Sequence, residues 1–113
     1  MTPRLTSTML VSALVRRADA EGGSAMVLAK GDPMSGAVLL LLLERGCNPR
    51  FVERGTGPEG VPALLPSGPK DLADEAEALA YWRRRRERDA DLWVVELDIA
   101  GAERFAAETM NLC

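Results

Sequence analysis

The stretch AMVLAK-GDPMSG-AVLLLLL, residues 25–43, decides how this chain is read. Ala37–Leu43 is an unbroken apolar run closed by Glu44-Arg45-Gly46. Its length suits a strand and falls short of most helices. Leu40 and Leu42 alternate with Leu39, Leu41 and Leu43, so both faces of this strand are apolar and it belongs at the centre of a sheet. Ser24–Lys30 is read as the preceding strand. Gly31–Gly36 then closes a hairpin, with Asp32-Pro33 favouring a type I turn. A third strand over about Arg50–Arg54 follows the tight connection Gly46-Cys47-Asn48-Pro49, which completes an antiparallel meander.

Helices flank this core. Leu5, Met9, Leu10, Ala13 and Leu14 recur at helical spacing, and Gly22-Gly23 supplies a stop, predicting a helix over about residues 4–20. A second helix is predicted from about Asp71 to Arg88, with Leu72, Ala76, Leu79 and Trp82 on its apolar face. Its acidic start and arginine-rich end complement the helix dipole. Asp91–Ala100 reads as a strand returning to the sheet, and Glu103–Met110 as a short closing helix. Gly55–Lys70 holds four prolines and four glycines. It reads as a long loop in which Val61–Leu65 could at most form an edge strand. The expected fold is α+β: an antiparallel β-meander of about four strands with two main helices packed on one face, in a single domain spanning residues 1–113.

Composition excludes more than it assigns. The chain has 113 residues, an apolar fraction of 47% and a formal charge of −3, which suits one domain with an ordinary core. An acidic balance argues against general nucleic-acid binding. Twelve arginines against two lysines fit codon bias better than anion recognition. No segment approaches the roughly 20 apolar residues that span a bilayer. The stretch from Leu5 to Val15 is interrupted by hydroxyls and closed by Arg16-Arg17, unlike a signal peptide. A cytoplasmic protein with reduced Cys47 and Cys113 is expected. Histidine is absent, so neither a Ser-His-Asp nor a Cys-His arrangement exists within the chain, nor a His-based metal site. No cofactor, metal or catalytic residue is expected.

Three motifs compete with plainer explanations. Lys30, Gly31, Asp32, Ser35 and Gly36 could form a ligand loop. The segment matches neither phosphate-binding glycine pattern, however, and it precedes a strand where phosphate loops precede a helix. Turn chemistry explains the same residues, yet the loop is still the first candidate for a small-ligand or anion site. Arg83, Arg84 and Arg86 belong to an arginine run ending at Arg88 that could contact phosphates or an acidic partner. At 100° per residue the run wraps the helix, and a solvated helix end explains it more simply. Cys47 has only Arg45 and Arg50 nearby in sequence and reads as an inert turn cysteine. Trp82 and Trp93 read as core rather than as walls of a ligand groove.

An arginine-ended first helix, K-G-D-P-x-x-G-A at Lys30–Ala37 leading into an apolar strand, and D-x-D-L-W-V-V-E at Asp89–Glu96 resemble a small alphaproteobacterial family of unknown function. The resemblance covers nearly the whole chain. It implies a bacterial, cytoplasmic, stand-alone domain and transfers no functional residues, because that family has no assigned activity. The Arg83–Arg86 run and the Cys47 turn depart from the family pattern.

The functional expectation is a non-enzymatic protein-interaction or regulatory module. The doubly apolar strand suggests that an uncovered sheet face serves a protein partner or a homodimer. The alternatives are a ligand-binding protein or enzyme using Gly31–Gly36, and a nucleic-acid-associated protein acting through Arg83–Arg88, disfavoured by charge. No membrane partner is expected.

Overall fold

The computed structural model describes residues 5–112. The chain runs α1 (Ser7–Ala20), β1 (Ser24–Ala29), β2 (Val38–Glu44), β3 (Cys47–Thr56), β4 (Pro62–Ser67), α2 (Glu75–Arg88), β5 (Trp93–Asp98) and α3 (Ala102–Thr109). The α+β class holds, with three helices and a five-stranded mixed sheet in the order β1-β5-β2-β3-β4.

The expected hairpin between Ser24–Lys30 and Ala37–Leu43 does not form. β5 lies between the two strands, antiparallel to β1 and parallel to β2, with Met26 opposite Glu96 and Leu41 opposite Glu96 on the other side. The reason lies in the connection. Gly31 and Gly36 both sit against the Asp91 carbonyl, where an added Cβ would come within 2.0 and 2.1 Å of the oxygen. Asp32 N–H donates to Asp91 O at 3.0 Å, and Trp93 N–H donates to Ala37 O at 2.8 Å. The hexapeptide therefore arches over the entry of β5 and lets that strand thread between its neighbours. Only glycine leaves room at those two positions. The β2–β3 hairpin does form, through Arg45-Gly46 at φ 53° and 73°. Two successive positive φ values are the type I′ geometry that matches strand twist.

A second correction concerns the layers. The helices do not share one face. α1 and α3 pack on one side, over Leu40, Leu42, Val95 and Leu97. α2 packs on the other, with Ala78 against Leu39, Leu41, Phe51 and Val94. Leu39, Leu40 and Leu42 are fully buried. Burying each such leucine contributes roughly 1.5–3 kcal/mol, so a strand apolar on both faces draws a helix to each. The expected bare sheet face is therefore replaced by two faces that each carry a helix.

The α1 boundary is set by capping. Thr6 Oγ1 accepts from Met9 N–H at 3.1 Å. The free N–H groups of Ser7 and Thr8 donate to Met34 O and Pro33 O of the arching loop. α2 starts later than expected, with Asp74 accepting from Glu77 N–H at 2.9 Å. Ala76 is exposed, while Ala78, Tyr81 and Trp82 turn inward. The Gly55–Lys70 segment is not all loop. Pro62–Ser67 pairs with β3 as an edge strand, slightly later than the weak Val61–Leu65 pattern suggested. Cys113 lies outside the described residues.

Candidate functional site

The Lys30–Gly36 loop is brought together as a unit, and its polar groups are spent inside the protein. The Asp32 carboxylate accepts from Met34 N–H at 3.1 Å, Ser35 N–H at 2.8 Å and Ser35 Oγ at 3.3 Å. The Ser35 backbone bond is the main force holding the Asp32 carboxyl below its usual range. The Asp32 carbonyl accepts from Trp93 Nε1 at 2.8 Å, and the Gly36 carbonyl accepts from the buried Ser7 hydroxyl at 2.6 Å. Lys30 contributes its carbonyl to Arg86 at 2.9 Å. Such a loop is a keystone for α1 and β5.

The arginine run divides by helix angle. Arg86 donates through Nη1 to the carbonyls of Lys30, Ala90 and Leu92 at 2.9, 2.6 and 3.0 Å, clamping the α2–β5 connection. Arg85, absent from the sequence candidates, is the most engaged of the run. It holds Glu53 through two bonds of 2.6 and 3.0 Å and reaches Ser67 Oγ and Tyr81 Oη. Arg85 holds the Glu53 carboxyl below the usual carboxylate range, and Glu53 raises Arg85 in turn. Arg83 and Arg84 are exposed, with Arg83 6.0 Å from the Trp82 ring. The candidate trio thus separates into two exposed arginines and one structural clamp. Cys47 is an exposed free thiol at the start of β3. Among the described residues, no group of three or more His, Cys, Asp or Glu side chains is placed to hold a metal.

A site that sequence reading missed lies on the α2 side of the sheet. A cleft opens beside the start of α2, where β2 and β5 end and β1 and the β2–β3 turn adjoin them. This cleft, about 610 Å³, has an apolar floor and wall built from Leu28, Leu41, Leu43, Leu72, Leu79 and Trp82. Asp74, Glu75, Glu96 and Asp98 line it as well, and no lysine or arginine does. Asp74 is occupied as the α2 cap, and Asp98 accepts from the N–H groups of Arg45 and Gly46 at 2.7 and 2.9 Å. Glu96 differs. It projects from β5 among these leucines, half-buried, with no hydrogen-bond or ion-pair partner among the described residues. Loss of water pushes its carboxyl up, assisted by Asp98 and Glu75. The one signal in the sequence was a glutamate set between Val95 and Leu97 in an otherwise apolar strand. Trp93 is core as expected, and Trp82 packs against the core while also lining the cleft.

A protein-family model described as "Protein of unknown function (DUF1491)" matches residues 5–107. The chain belongs to the DUF1491 family. A DUF1491 crystal structure from Caulobacter crescentus CB15 is 31% identical, covers 89% of this chain and 94% of that one, and superposes with a TM-score of 0.75. An NMR structure of a DUF1491 protein from the same organism is 30% identical, covering 92% and 94%, with a TM-score of 0.73. A solution structure from A. tumefaciens is 31% identical, covering 85% and 86%, with a TM-score of 0.64. No curated protein matches. The resemblance read from the GDPxxGA and DLWVVE segments agrees with these DUF1491 relatives, and its alphaproteobacterial origin fits the Caulobacter and Agrobacterium sources.

Proposed function

We propose that this DUF1491 protein is a non-enzymatic binding module, working in the cytoplasm, that takes a protein segment carrying lysine or arginine between apolar side chains. The observation behind this reading is Glu96, an unpartnered carboxylate on the leucine floor of a cleft without cations. A cation inserted there would gain a partner in a poorly hydrated setting, where such a contact is worth more than at an open surface. Adjoining leucines and Trp82 supply apolar contact area. The other two readings lose support because their residues are engaged elsewhere. The Gly31–Gly36 loop spends its polar groups on α1 and β5. Arg85 and Arg86 hold the fold and leave only part of the run to meet a phosphate.

The test is selection of a displayed random-peptide library on the immobilised protein, followed by affinity measurement of the enriched peptides. Enrichment of basic–apolar sequences whose binding falls at least tenfold on Glu96→Lys supports the module. Enriched peptides that lack basic residues and ignore Glu96→Lys, or no enrichment at all, would defeat it.

A further inference from the structure

We infer that the bound segment is extended and adds to the free edge of β1 as a sixth strand. This rests on the cleft reading above and specifies how the cleft is filled. β1 pairs only with β5, and among the described residues no other backbone group bonds to Ser24–Ala29. None of its six residues is buried.

The two edges of the sheet are protected very differently. β4, at the far edge, contains Pro62 and Pro66, which remove two donors from the ladder. β1 reads SAMVLA, with neither proline nor charge, and Met26 is 59% exposed. Natural edges are normally blunted by charge, proline or a bulge, and an unblunted one is a template for another strand. β1 has a single such device, the register shift between Val27 and Ala29. That irregularity limits regular pairing to Ser24–Val27, so the added strand is short.

Register connects the edge to the cleft. Met26 lies directly opposite Glu96 and so shares its face of the sheet, where Leu28 also packs. A residue of the added strand opposite Met26 is two strand spacings from Glu96, roughly 10 Å. A lysine or arginine there can lie along Met26 and bring its head to the Glu96 carboxylate. Its neighbours two residues away face the same apolar floor. Charge decides against a second copy of this chain as occupant. Two-fold pairing of β1 would bring two such acidic clefts together, each on a chain of formal charge −3.

The experiment uses a peptide enriched on the cleft and a series carrying one backbone N-methyl group at each position in turn. Strand addition requires that methylation at alternate positions weaken binding tenfold or more, while intervening positions tolerate it. Amide hydrogen exchange in Ser24–Ala29 should slow by at least tenfold on binding. If every N-methyl variant binds like its parent and β1 exchange is unchanged while Glu96→Lys still abolishes binding, the cleft reading stands and strand addition is wrong. If no peptide binds through Glu96, both fail. If β1 amides are protected without peptide in step with protein concentration, a second copy occupies the edge and the inference is overturned.

Discussion

Gly31 shows how little space decides this fold. A Cβ placed on it meets the Asp91 oxygen at 2.0 Å and the carbon of the same carbonyl at 2.6 Å. Backbone cannot move aside as a side chain can, so Gly31→Ala should destabilise at or beyond the top of the roughly 1–3 kcal/mol overpacking range, measured by urea denaturation. Gly22→Ala is the contrast. No atom lies within 4 Å of its Cβ, so the penalty there comes only from φ +86°. The arginine run makes the same point with charge. Arg86→Met removes three bonds to carbonyls, of which Leu92's is part-buried and the other two are open to water, and should cost about 2 kcal/mol. The neighbouring Arg84→Met should fall within about 0.5 kcal/mol of wild type. Equal losses at both positions would show that Arg86 is not the clamp. From sequence, Arg84, Arg85 and Arg86 are indistinguishable. Helix rotation separates them, and rotation depends on what the helix packs against.

At the scale of elements, α2 and β4 hold one another through a single polar joint. Glu53 on β3, Ser67 on β4 and Tyr81 and Arg85 on α2 converge, with the Tyr81 and Phe51 rings 4.8 Å apart beneath them. The Glu53 carboxyl is held low chiefly by Arg85. A carboxylate depressed on folding contributes stability above its unfolded value near 4.5, and that stability is lost as pH falls through the folded value. Glu53→Gln should therefore lose about 1–2 kcal/mol at pH 7, since the pair is only partly desolvated. As pH falls below about 4.5 the deficit should shrink. Thermal melts of both proteins from pH 3 to 7 provide the check, and a constant deficit across that range would count against an ionic joint. Most elements were readable. The central strand, both long helices, the returning strand and α3 stand close to where periodicity puts them. β4 was nearly hidden because proline and glycine, which mark loops, also mark a protected edge strand. The face of α2 was read in part: Leu72 and Trp82 pack on the sheet as expected, while Ala78 and Tyr81 take the place given to Ala76 because the joint just described turns Tyr81 and Arg85 inward.

The order of strands was beyond the reach of any local pattern. A hexapeptide rich in glycine and proline fits a hairpin loop and an arch over an inserted strand equally well. What separates them is the contact between Gly31, Gly36 and Asp91, some sixty residues apart. Glu96 was equally obscure, because its meaning depends on the cleft that α2 leaves beside its first turn. Those two features fix how the molecule can associate. Its sheet faces are covered by α1 and α3 on one side and by α2 on the other, which leaves the Glu96 cleft as the uncovered apolar part. The remaining continuous run of free backbone groups among the described sheet edges is β1, short, uncharged and interrupted by its bulge. Pairing over about four residues gives few hydrogen bonds, each worth only about 1 kcal/mol net, against the entropy of association. Sedimentation velocity at micromolar concentration should therefore show a monomer. At millimolar concentration the two acidic clefts should still oppose pairing of two β1 edges, so the monomer should persist, and Met26→Lys should leave it a monomer while changing stability by no more than about 0.5 kcal/mol. A dimer that persists at micromolar concentration and ignores Met26→Lys would place the contact away from β1 and remove the argument that this edge is kept for an extended partner.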